Sequence, residues 1–85
     1  MPRTTDTEAY KLLLRVLVDL RRNQGFSQAE LAERLGRGQS FVSHYEHGIR
    51  RIDVLEFYAI VRALEADPVA VFTFVAERLP FELRI

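Results

Sequence analysis

Residues 27–48 read SQAELAERLGRGQSFVSHYEHG. Ser27-Gln28-Ala29-Glu30 has the form of a capping box, in which a serine and a glutamate three residues later satisfy backbone amides at a helix start. Phe26, just before it, can staple onto Leu31 at the fourth helical position. Leu31, Ala32 and Leu35 form an inward stripe, and Gly36 is the stop. A helix of roughly nine residues does not persist alone, so tertiary packing must hold it. After Gly36-Arg37-Gly38 a second short helix is expected from about Gln39 to His47, closed by Gly48. A glycine-containing three-residue turn suits two helices crossing near 90–120°, not an antiparallel pair. Such a crossing needs a small side chain at the contact and a permissive turn residue, which Ala32 and Gly36 supply. With Val42 and Tyr45 facing in, the helical period puts Gln39, Ser40, Ser43, His44 and His47 on or near the outer face. That face is short, uncharged and rich in hydrogen-bonding groups, as a surface that touches something polar should be.

Outward from this pair every long segment keeps helical spacing. Upstream, Tyr10, Leu13, Leu14, Leu17 and Leu20 recur at steps of three and four. That helix is expected to start near Thr5–Thr7, where several capping oxygens lie, and to end around Asn23-Gln24-Gly25. Downstream, Asp53 and Glu56 form a second cap pattern, and Ile52 can staple onto Phe57. The inward stripe of this fourth helix is predicted as Val54, Phe57, Ile60, Val61 and Leu64. Asp67-Pro68 opens a fifth, since proline at the first helical position sacrifices no hydrogen bond. After Pro80, Phe81, Leu83 and Ile85 alternate with Glu82 and Arg84, the pattern either of a short C-terminal strand or of a frayed end.

At 85 residues the chain is long enough for one small core and too short for two domains. A single domain over residues 1–85 is expected, with a core at about 7–78 and a tail at 79–85. The absence of cysteine excludes disulfides, thiol nucleophiles and sulfur-ligated metals. No apolar run approaches the ~20 residues of a membrane span, and the first residues do not look like a secretion signal, so a cytoplasmic protein is expected. The net charge is zero but unevenly placed: residues 1–52 carry nine Lys/Arg against six Asp/Glu, and residues 53–85 three against six. Two faces with different partners would have this distribution.

The 27–48 segment resembles the helix-turn-helix of the phage-repressor and Cro family of DNA-binding regulators, the lambda-repressor-like or xenobiotic-response-element type. The matches are Gln28, Ala32, Gly36, Gln39, Ser40, Val42, Glu46 and Gly48, in register, and the wider likeness spans roughly residues 10–75. The resemblance implies that Gln39, Ser40, Ser43 and His44 face base edges in the major groove, where a glutamine can bond adenine in a bidentate way. It implies phosphate contacts for Gln28, at a helix N-terminus, and for Arg37, Arg50 and Arg51 beside the recognition helix. Arg22 and Asn23 are further candidates for that role. In relatives the first glutamine also braces the second, here Gln28 and Gln39. Arg21 and Glu46 occupy the positions of a partly buried ion pair tying the first helix to the third.

Three positions depart from the family pattern. Gly38 replaces a capping serine or threonine. Phe41 stands where a small polar residue is usual, and either packs on a thymine methyl or leans back on the second helix. His44 replaces a common arginine, which would make base reading weaker or pH-sensitive.

Blander readings apply to the same residues. The helix pair would serve equally in an ordinary small bundle, Arg50 and Arg51 in a solvated turn, and Gln28 as a surface residue. His44 and His47, with Glu46 nearby, lack a further ligand on their face, so no metal is expected. Ser43 and His44 diverge by about 100° on a helix and make no nucleophile–base pair. No phosphate loop or catalytic motif occurs elsewhere, so neither enzyme activity nor a cofactor is expected.

The apolar residues of the fifth helix point in more directions than one core accepts; burial around the small core would explain most of them, and a dimer interface the rest. Val71, Phe72, Phe74 and Val75, with Phe81 and Leu83 of the tail, are therefore expected in a dimer interface, as two-fold binders of paired half-sites require. The resulting expectation is an all-α, five-helix domain acting as a homodimeric repressor on a palindromic operator in double-stranded DNA. The rival reading is an antitoxin-like or other interaction module whose main partner is a protein, engaged through the fifth helix and the tail.

Overall fold

A computed structural model describes residues 7–84. Five helices follow in order: α1 (Glu8–Asn23), α2 (Gln28–Leu35), α3 (Gln39–Glu46), α4 (Val54–Ala63) and α5 (Pro68–Ala76). No strand occurs among the described residues. The C-terminal strand alternative therefore gives way to an irregular tail. Phe81 is fully exposed and Leu83 sits in a shallow groove with Tyr10, Leu13, Phe72 and Leu79, while Ile85 lies outside the described residues. None of the described helices is long and apolar enough to cross a membrane.

The helix starts obey local chemistry. Thr7 caps α1 by accepting from the Tyr10 amide; Thr5 lies outside the described residues. Both capping boxes close reciprocally, Ser27 with Glu30 and Asp53 with Glu56. Asp67 caps α5 ahead of Pro68. Gly38 caps α3 with no side-chain bond.

The first four helices end alike, in a nested pair of backbone hydrogen bonds around one residue of positive φ. That residue is Gly25 after α1, Gly36 after α2 and Gly48 after α3, but Glu65 after α4, at φ 63°. A Cβ built on Gly36 would meet nothing, so what the turn between α2 and α3 demands is the left-handed backbone itself. The terminal carbonyls of α4 are met from a distance: Gln24 Nε2 donates to the Leu64 carbonyl at 2.8 Å and Arg34 Nη1 to that of Ala63 at 3.1 Å.

The core joins Tyr10, Leu14 and Leu17 of α1, Leu31 and Ala32 of α2, Val42 and Tyr45 of α3, and Phe57, Ile60, Val61 and Leu64 of the α4 segment. Two expectations fail here. Val54, placed in the inward stripe, is 77% exposed, because as the first residue of α4 it projects beyond the face that packs on the core. Val75, assigned to a dimer interface, is instead buried within the monomer, where it shares a groove floor with Tyr10 and Leu13.

Candidate nucleic-acid interface

The outer face of α3 is built from the core outward. Val42 and Tyr45 are fully buried and fix the rotation of the helix. Gln39, Ser40 and His44 are then exposed and Ser43 half-buried on one side. His47 turns back at the helix end, its Nδ1–H donating to the Ser43 carbonyl at 2.7 Å. A carbonyl can only accept, so this contact fixes the proton on Nδ1.

Beneath this face lies a charged network with almost no water access. Glu46 accepts from Arg21 Nε at 2.7 Å and Nη2 at 3.1 Å, and the two side chains are 5% and 9% exposed. The third bond of the guanidinium, from Nη1 to the Phe26 carbonyl at 2.8 Å, secures the turn between α1 and α2. Arg21 thus has a hydrogen-bonded carboxylate that outweighs its desolvation and strengthens its hold on the proton. Gln28 Nε2 donates to Glu46 at 2.8 Å, and its Oε1 receives Gln39 Nε2 at 3.5 Å. The bracing glutamine is therefore itself anchored to a buried salt bridge. Its side chain faces inward along this chain of bonds, which leaves the amide end of α2 as its route to an anion.

The flanking residues divide. Arg51 is exposed and its side chain has no partner among the described residues. Arg22 lines a concavity with Glu46, His47 and Gly48 at the end of α3, whereas Asn23 lies in a groove with Val71 and Phe74 between α1 and α5. The structure does not bring Asn23 to the α3 face: one residue of helical rotation separates it from Arg22.

Phe41 is buried, edge-on to Tyr45 with ring centroids 5.6 Å apart. The ring is turned inward, against Tyr45 of its own helix, which leaves little of it exposed for a thymine methyl. Arg37 and Arg50 lie 4.6 and 4.8 Å from its ring centroid, and Arg50 also pairs with Glu56. Sequence reasoning missed this role for Glu56, because its capping function accounts for it fully at the level of spacing. Among the described residues no cluster of acidic, histidine or cysteine side chains is placed to hold a metal.

A helix-turn-helix family profile matches residues 17–70. Among solved structures, an XRE-family like protein from Pseudomonas syringae pv. tomato str. DC3000 is 43% identical, with a TM-score of 0.81 over 85% of this chain and 88% of its own. The wild-type restriction-modification controller protein C.Esp1396I gives 0.77 at 19% identity, over 85% and 95% of the two chains. The same protein as a tetramer in complex with its natural 35 base-pair operator gives 0.76 at 19%, over 85% and 95%. The clp gene regulator ClgR from C. glutamicum gives 0.73 at 21%, over 91% and 100%. Below a quarter identity these last likenesses establish the fold alone. No curated protein matches. The shared motif, its register and the 43% identical relative place the chain in the XRE family of lambda-repressor-like helix-turn-helix proteins, as a DNA-binding transcriptional regulator.

Proposed function

We propose that the protein is a homodimeric repressor that reads a two-fold symmetric operator through α3. The observation that carries this reading is the anchored polar face itself. Gln39 is braced by Gln28 on a buried ion pair, while the side chains of Ser40, Ser43 and His44 stand beside it with no competing bonds among the described residues. Gln39 is assigned to an adenine edge, and Ser40, Ser43 and His44 to neighbouring base edges. Arg51 and Arg37, the Gln28 helix end and Arg22 are assigned to phosphates, which position the protein without specifying sequence.

The homodimer is supported by large apolar side chains left exposed on α4 and α5. Leu55 and Tyr58 of α4 and Val69 and Phe72 of α5 are all more than half exposed, and Phe74 nearly so. Phe72 packs edge-on to Phe57, at a centroid distance of 6.2 Å, and so presents a rigid ring. Of the residues expected at the interface, Phe72, Phe74, Phe81 and Leu83 remain available, Val71 is partly buried against the core, and Val75 drops out. The operator-bound tetramer of the controller protein, which shares this fold, is consistent with paired binding. Repression by covering a promoter is carried over from the resemblance to small regulators of this family.

Selection of duplexes from a random pool, run with the native protein and with Gln39→Ala, tests the reading. Enrichment of a two-fold symmetric site that the variant no longer selects is expected. If neither protein enriches any sequence, the reading fails. The same exposed apolar face favours the interaction-module alternative in that event, and loss of partner binding on removal of residues 80–85 is its mark.

A further inference from the structure

Two arginines flank the recognition helix, Arg37 in the turn before it and Arg50 in the loop after it, and both rest on the ring of Phe41. The carboxylate of Glu56, in the first turn of α4, meets them there. Its oxygens lie 3.1 and 2.8 Å from Arg50 Nη1 and Nη2, and one of them is 3.9 Å from Arg37 Nη2. The two oxygens present to the guanidinium fork what the free oxygens of a phosphodiester would present. Glu56 is tethered by its own cap, with the Asp53 amide donating to it at 2.9 Å, and its side chain is only 18% exposed. The cap bond and the arginines together favour this position over the solvent-facing rotamers of a surface glutamate. The Arg50 guanidinium also holds its carboxyl below the ordinary glutamate range, so it stays ionised at neutral pH.

We propose that Glu56 is a resident stand-in for a DNA phosphate: it occupies Arg50, and to a lesser degree Arg37, and so limits the sequence-independent affinity of the protein. The inference rests on the DNA-binding reading above. Phosphate contacts supply most of the affinity for arbitrary DNA, and each adds about 0.9 to the slope of log affinity against log salt. An arginine already paired with a tethered carboxylate contributes less than its full share. Base contacts by α3 then make up a larger part of total binding than the count of flanking arginines implies.

The test is binding to a non-operator duplex, measured by fluorescence anisotropy across a salt series. Glu56→Gln removes the charge and keeps the cap, because glutamine serves in a capping box. The variant is expected to bind about two- to fivefold tighter at moderate salt, as loss of one exposed ion pair would give. Its salt slope should steepen by about 0.9. In an Arg50→Ala background the same change should produce no gain. Unchanged or weaker binding by Glu56→Gln overturns the proposal, weaker binding because the carboxylate would then be orienting the arginines. A gain that persists without Arg50 overturns it too, as a general effect of charge. Should circular dichroism show Glu56→Gln unfolded, two variants in the native background decide. Arg51→Ala should lose about 0.9 of slope and Arg50→Ala clearly less; equal losses refute the competition. If the native protein binds no duplex even at low salt, the DNA-binding reading itself fails and takes the proposal with it.

Discussion

Replacing Glu46 by alanine should be the most damaging single change near α3, and the structure says why. The carboxylate accepts three hydrogen bonds, two from Arg21 and one from Gln28. Without it Arg21 keeps one bond, to the Phe26 carbonyl, and remains a charge in a nearly dry site. Stranding one member of a buried pair costs about 3–5 kcal/mol. A domain of this length has a total stability of roughly 4–13 kcal/mol. With a urea slope of about 1–1.5 kcal/mol/M for so small a protein, the unfolding midpoint should fall by roughly 2–5 M. Far-UV circular dichroism through a urea titration at neutral pH reads this directly. The double variant Arg21→Met/Glu46→Leu removes the charge together with its partner and should recover most of the loss. It should nevertheless discriminate duplexes poorly, because Gln28 has lost the acceptor that holds it under Gln39. A Glu46→Ala loss below about 1 kcal/mol would show the pair to be solvated. A double variant as unstable as the single would show that packing, not a stranded charge, sets the cost.

Three further outcomes are expected. The buried Tyr45 hydroxyl has no hydrogen-bond partner among the described residues, and burial raises its ionisation well above the ordinary range, so it sits as a neutral orphan. Tyr45→Phe should therefore stabilise by about 1 kcal/mol, visible as a rise of roughly 4–8 °C in Tm. At the end of α4, Glu65 adopts a left-handed backbone and holds Arg34 at 2.9 Å in an exposed pair. Both Glu65→Gly and Glu65→Ala lose the pair, but only glycine relieves the backbone, so it should be more stable than alanine by about 1 kcal/mol in urea unfolding. Glu30 and Glu56 have carboxyls held below their ordinary range, Glu30 chiefly by the Ser27 amide and Glu56 chiefly by Arg50. Their contributions are present above the unfolded glutamate value of about 4.3 and disappear as pH falls through the lower folded values. Thermal melts should accordingly be flat from neutrality to about pH 5 and decline below it, with a shallower decline in Glu56→Gln.

Helix order and the polar face of α3 were legible because their signals are local. Two capping boxes, Pro68 after Asp67, and glycines at three of the four helix ends declare boundaries within a few residues. The end of α4 was not placed from the sequence, since glutamate in a left-handed conformation leaves no mark there. Where periodicity misled, the reason was tertiary. Val54 matches the stripe of α4 yet lies one turn beyond what the neighbouring helices cover. Val75 and Phe72 look alike on an apolar helix, and only the position of α1 decides which is buried. Gln24 and Arg34 reach carbonyls of α4 that are distant in sequence, and Glu56 reaches Arg50 while already serving as a cap. Such double engagements are fixed by the packing of helices, which no spacing rule encodes.

The link from Glu46 through Gln28 to Gln39 also sets how such a protein can diverge. A change at Gln39 gives up the 3.5 Å brace from Gln28 while leaving the Gln28–Glu46 bond and the buried salt bridge in place, so a new side chain there has to be positioned afresh. Ser40 and His44 make no side-chain hydrogen bonds among the described residues and can vary without that constraint. On the proposed reading, descendants of this sequence should therefore explore new operators first through residues 40 and 44, holding residue 39 as a fixed point from which the neighbouring contacts are relearned.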